Sequence, residues 1–279
     1  MTVTRSLMLA LLVLSTSIAT AQLKLPVLSP TSTITQEFAT SKIEITYSRP
    51  SMKGRVIFGD LVPYNQVWRT GANAATKVMF GEEVVIAGTS IKPGSYSLYT
   101  VPGTSEWEVI INTNTGSWGS NGYDTKDDVV RFTIKPTTLT APVETFTIGV
   151  GNITYNTCTI DLAWDRTHVS IPVKADNNAR LMKEIEQAIE RPNIPYRAAA
   201  QYYLSTNQNL DKALDYAQRS AAANPKQYWQ HMLVAEIAAK VNNATVCREA
   251  VAKVRELTKG TDGEKSYYTA TQALLDSLK

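Results

Sequence analysis

The sequence predicts an all-β antiparallel sandwich followed by an all-α region of helical hairpins. Three observations carry that expectation. Apolar residues alternate with polar ones from Thr31 to Lys174. Glycine and proline turn signals divide that stretch, and no helical period interrupts it. At Asp176 the spacing changes to i, i+4, i+7. With 279 residues, 43% hydrophobic and 19% charged, the chain can bury two modest cores. The expected division is a signal peptide over 1–21, a β-sandwich domain over 22–175 and a helical region over 176–279.

Arg5 precedes an uncharged run from Leu7 to Ile18. That run has the length of a signal-peptide core and falls short of the roughly 20 residues a membrane span needs. Ala19-Thr20-Ala21 supplies the small-x-small pattern of a cleavage site, so the mature chain is expected to start at Gln22, after Ala21. No cysteine follows the site, which argues against lipidation. The expectation is an exported protein, periplasmic or extracellular, with no transmembrane segment once the signal is removed. The formal charge of +3 is too small a bias to imply a nucleic-acid partner. Partners must be selected by local patches.

Strands are expected around Ile43, Ile45 and Tyr47, around Trp107, Val109 and Ile111, and around Phe132 and Ile134. Turns are expected at Ala87-Gly88, Pro93-Gly94, Pro102-Gly103, the Gly116 to Gly122 loop and Lys135-Pro136. Pro93-Gly94 suits a type II turn that starts the strand Gly94-Ser-Tyr-Ser-Leu98. The last strands are expected from about Ile153 to Trp164 and from Thr167 to Val173. The two cysteines read as buried free thiols. Cys158 is in register with Ile160, Leu162 and Trp164, and Cys247 shares a helical stripe with Ala250, Val251 and Val254.

The first helix carries Leu181, Ile185, Ala188 and Ile189 and is closed by Arg191-Pro192. Pro195 suits the first turn of the next helix. A hairpin from Tyr196 to Pro225 follows, with small residues at Ala200 and Ala213 where a tetratricopeptide repeat needs close helix approach. A weaker copy has Ala238, Ala250 and a turn at Asn242-Asn243, and a helix from about Glu264 to Leu278 would cap the array. A peptide-binding array and a bundle that braces the sandwich both fit this pattern.

Candidate chemistry gathers between Tyr47 and Asn73. Arg49, Lys53, Arg55 and Arg69 face one acid there, Asp60, with Tyr64 and Trp68 interleaved. Arginine forks suit carboxylate, phosphate or sulfate, and aromatic faces suit sugars. A second aromatic loop, Trp118-Gly-Ser-Asn-Gly-Tyr123, precedes Asp124, Asp127 and Asp128. The candidate ligand-binding residues are Arg49, Arg55, Tyr64, Trp68, Arg69, Asn73, Trp118 and Tyr123. The alternative is scaffolding, in which those acids pair with the arginines and fasten one loop to the other. Only His168 and His231 are present, no HExxH or CxxC pair exists, and no metal or other cofactor is expected. His168 near Asp165 raises a serine triad, but no nucleophile elbow accompanies it. Glu106 and Glu108 read as the outward face of an ordinary strand.

These residues also carry a family likeness. Tyr47-Ser-Arg-Pro-Ser51, Lys53-Gly-Arg55, Ile57-Phe-Gly59, Leu61-Val-Pro-Tyr64 and Val67-Trp-Arg-Thr-Gly-Ala-Asn73 resemble the signature of the bacterial family Domain of Unknown Function 2911 (DUF2911). Gly94-Ser-Tyr-Ser-Leu98, Trp107-Glu-Val-Ile110, Trp118-Gly119 and Asp128-Val-Val-Arg131 extend the likeness over roughly Leu28 to Val173. The final strands match only loosely. The resemblance implies an exported protein, often with helical repeats after the β-domain. It implies no activity and supplies no catalytic residue.

Two function classes follow. One is a non-catalytic envelope protein whose sandwich binds an anionic or sugar-like ligand while its helices contact a protein partner. The other is a hydrolase of envelope polysaccharide or peptidoglycan using carboxylates such as Asp127 or Asp128.

Overall fold

The computed structural model describes residues 25–189 and 195–278. The expected signal, its cleavage between Ala21 and Gln22, and the helix end at Arg191-Pro192 lie outside the described residues. One sheet is built from β1 (Thr31–Phe38), β2 (Ser41–Ser48), β3 (Thr76–Phe80), β6 (Gly94–Val101), β7 (Trp107–Asn112) and β8 (Asp128–Ile134), in that spatial order. The other has the order β5 (Thr89–Ile91), β4 (Val84–Ile86), β10 (Thr157–Ala175), β9 (Thr137–Gly151). Every pairing of these strands is antiparallel.

The alternating apolar residues of both sheets meet in one core. Ile45, Val78, Leu98 and Val109 belong to the first sheet, and Ile86, Ile148, Leu162 and Ile171 to the second. Its aromatic centre stacks Trp68 on Trp164 at 5.9 Å, with Phe58, Trp107 and Phe146 packed around them. Tyr47 bridges the layers. Its hydroxyl donates to Ile148 O at 3.1 Å and accepts from Ile148 N at 2.8 Å.

Two expectations need correcting. The two final strands are one strand, β10, bent at Asp165, where φ is 51° and the register against β9 shifts. Even-numbered residues from Cys158 to Trp164 face the core, and odd-numbered ones from Val169 to Val173 do so beyond the bend. An extra residue at a bulge reverses the parity of everything after it, which is why the pattern reads as a break. Arg166 Nη1 donates to Thr140 O at 2.5 Å and Leu139 O at 3.4 Å, beside Pro142 of β9. Gly94 also departs from the expected turn: it opens β6 at φ 155°, away from the type II value. Ala87 and Gly88, at φ 49° and 80°, form the tight β4–β5 hairpin with both central residues left-handed.

The helices are α1 (Asn178–Ile189), α2 (Tyr196–Thr206), α3 (Leu210–Ala223), α4 (Tyr228–Lys240), α5 (Ala244–Thr258) and α6 (Glu264–Asp276). From α2 to α6 each packs on the next. Ala200, Ala213, Ala238 and Ala250 are buried at those contacts, where small side chains let backbones approach. Cys247 lies in this helical core and Cys158 in the sandwich core, both as free thiols. No helix among the described residues is long and apolar enough to cross a membrane.

Candidate functional site

The segment from Trp68 to Asn73 is backbone under constraint. Trp68 exchanges hydrogen bonds with Thr100 of β6, Trp68 N to Thr100 O at 2.7 Å and Thr100 N to Trp68 O at 3.0 Å. This extends the sheet beyond the end of β3. Thr70 then takes φ 52° and Asn73 φ 60°, values that cost L-residues free energy unless local bonds hold them. Those bonds are present. The buried Thr70 hydroxyl pairs with that of Thr100 at 3.1 Å, and Asn73 Nδ2 donates to Ser29 O and Ser48 Oγ, both at 3.3 Å. Gly71 has φ 153°, and a β-carbon there would lie 3.0 Å from Ser48 O, so the approach demands glycine.

Alternation along this segment separates its two large side chains. Trp68 points into the core, where it is 8% exposed and its Nε1 donates to Gly71 O at 3.0 Å. Arg69 therefore faces the opposite side, and the Trp68–Thr100 pairing puts it beside Tyr99 on the outer face of the six-stranded sheet. A satellite cluster covers that face, with Ala75, Tyr99 and Ile110 buried and Val67, Val101 and Tyr123 packed on them. Two donors on that face lack partners among the described residues. Arg69 Nε and the Tyr99 hydroxyl are both buried and have no hydrogen-bond partner among the described residues. A buried unpaired donor, one of them on a cation, is costly and marks a place where an acceptor belongs.

The aromatic loop closes over Arg69. Gly119 N donates to Asn73 O at 3.1 Å, and Ala75 N donates to Ser117 O at 3.4 Å. Gly119 is left-handed at φ 75°, and a β-carbon there would stand 2.9 Å from Arg69 Nη1. The Trp-Arg-Thr-Gly-Ala-Asn and Trp-Gly segments thus meet at the arginine. Trp118, 72% exposed, stands at the rim. Tyr123 packs edge-on against Tyr99 with ring centres 5.2 Å apart.

Beyond Tyr123 lies a fully engaged network. The Tyr123 hydroxyl donates to Asp128 Oδ2 at 2.7 Å, and Asn112 Nδ2 donates to Asp128 Oδ1 at 2.8 Å. Arg131 donates to both the Tyr123 hydroxyl and Glu108. Burial, and then the Asp128 hydrogen bond, push the Tyr123 hydroxyl up to about 12. The expected pairing of this loop's acids with the upstream arginines is not what forms. Asp128 bonds Arg131, and Asp124 bonds Lys126.

The other arginines do structural work. Arg49 Nε donates to Phe146 O at 3.1 Å and Nη2 to Thr147 Oγ1 at 2.8 Å, clamping β9. Arg55 donates to Met52 O and Ser51 O within its own loop. Tyr64 is exposed and lies against Gly59. The structure brings Arg69, Asn73, Trp118 and Tyr123 together with Tyr99; it leaves Arg49, Arg55 and Tyr64 outside and Trp68 in the core. Sequence reading missed Tyr99 and Arg131, although strand parity from Leu98 and from Val130 would have placed both outward. Glu106 and Glu108 line a cleft with Arg131, and the latter carboxylate is already paired. His168 meets Asp161, at 3.4 Å, and Thr137, at 3.2 Å, rather than Asp165, which occupies the bulge.

With that geometry in place, comparison with known families finds one match. Residues 29–173 fit the family described as "Protein of unknown function (DUF2911)". No curated protein and no solved structure matches the chain.

Proposed function

The chain belongs to the DUF2911 family, and from that premise we propose that it is an exported, non-catalytic envelope protein whose β-domain binds an anionic, sugar-like ligand at Arg69. One observation carries this reading: Arg69 Nε and the Tyr99 hydroxyl are neighbouring buried donors with no acceptor among the described residues. A carboxylate accepts from a guanidinium side-on through two parallel bonds, and a ring carried on that carboxylate would reach the exposed Trp118 face. A uronic acid combines both features. The neighbouring carboxylates support binding over hydrolysis, because Asp128 and Glu108 are each held by Arg131. The apolar run Leu7 to Ile18 and the Ala19-Thr20-Ala21 pattern support export.

The test is a thermal-shift titration of the chain from Gln22 with D-glucuronate, neutral glucose and inorganic phosphate. Glucuronate is expected to raise Tm, since a ligand at 100 times its Kd contributes about 2.7 kcal/mol. Arg69→Ala should weaken that binding tenfold or more, in keeping with about 1.5–3 kcal/mol for a hydrogen bond to a charged group, and should still fold. Phosphate acting as well as glucuronate would reduce the site to a simple anion hole. Loss of folding in Arg69→Ala would make the arginine a scaffold and overturn the proposal.

A further inference from the structure

The sandwich and the first helices meet around one acidic side chain. Glu82, in the turn between β3 and β4, accepts from Thr40 N at 2.7 Å, Thr40 Oγ1 at 2.9 Å and Asn177 Nδ2 at 2.9 Å, and it lies 3.6 Å from Arg180. Beside this hub a cleft of about 400 Å3 opens between the β1–β2 turn, Tyr155, α1 and α2. Its walls are largely apolar, with Leu181, Ile185, Ala188 and Ala199 among them. That volume lies in the range of small-molecule sites, which occur preferentially at junctions of this kind.

Asn177 gives the cleft a polar point. It lines the cleft and is only 4% exposed, and its Oδ1 has no hydrogen-bond partner among the described residues. The amide cannot be turned round to cure this. Its Nδ2 donates to the Glu82 carboxylate, and a flip would set two acceptors against each other. The site therefore offers a buried acceptor that nothing within the described chain satisfies, and a buried acceptor left unmet is expensive.

We propose that this junction cleft is a second binding site, distinct from Arg69, for a small uncharged molecule with an apolar body and one hydrogen-bond donor, which Asn177 Oδ1 receives. Calorimetric titration of the full mature chain with indole tests it, with 1-methylindole as the ligand that keeps the body and loses the donor. Indole is expected to bind saturably and at least tenfold more tightly than 1-methylindole. Asn177→Leu should bring the two affinities together, and Ala188→Trp, which fills the cleft without touching the Glu82 hub, should abolish both. Indole binding should survive Arg69→Ala. Equal affinities in the unaltered chain, binding that persists in Ala188→Trp, or no saturable binding of indole would each overturn the proposal.

Discussion

Cys158 shows what burial does to one side chain. Burial, and then the nearby Asp161 carboxylate, push its thiol up to about 12. The folded chain holds that proton more tightly than the unfolded chain, where a cysteine titrates near 8.5. The stability this group adds is complete below the unfolded value and is lost as pH rises toward 12. Stability should accordingly fall on the alkaline side, and Cys158→Ala should flatten that decline. In the native state neither Cys158 nor Cys247 should react with Ellman's reagent at pH 8, while both should react in denaturant; rapid labelling of either native thiol would contradict the burial. Both cysteines were legible as buried from their spacing, because a period shared with apolar neighbours reports a face. The three arginines were not separable in this way. Their sequence setting is alike, and what distinguishes Arg69 is that Arg49 and Arg55 find backbone carbonyls. Carbonyl positions follow from chain path rather than from residue type.

At the scale of elements, the alternation that defines the strands located β2, β6, β7 and β8 well. The bend in β10 was hidden because a bulge reverses parity, and so one strand reads as two. The meeting of the Trp68–Asn73 and Trp118–Gly119 segments was equally hidden. About 45 residues of chain separate them, and only the sheet order brings them side by side. Glu82 makes a contact of the same long-range kind. Glu82→Ala removes the acceptor shared by Thr40, Asn177 and Arg180, so hydrogen exchange should accelerate across Asn178–Ile189 and leave β2, β3 and β6 protected. Unchanged exchange in α1 would show that the hub does not secure that helix.

The whole molecule is a sandwich and a helical array with separate cores, joined where β10 runs into α1. That division was legible from the change of period at Asp176, because a sheet of period 2 and a helix of period 3.6 cannot share one pattern. The proposed export makes a prediction at this scale. The protein recovered from the cell envelope should have the intact mass of a chain beginning at Gln22, and recovery of the full-length mass from the cytoplasm would contradict it.

Binding at the β-domain depends on Arg69 receiving an anion. Side-chain Nε–Hε resonances of the arginines, with Arg69 assigned by its loss in Arg69→Lys, report on that group directly during titration with D-glucuronate. The Arg69 signal is expected to shift saturably while those of Arg49 and Arg55 hold still. A ligand that stabilises the protein yet leaves the Arg69 resonance unmoved, or moves Arg49 or Arg55 instead, would contradict it.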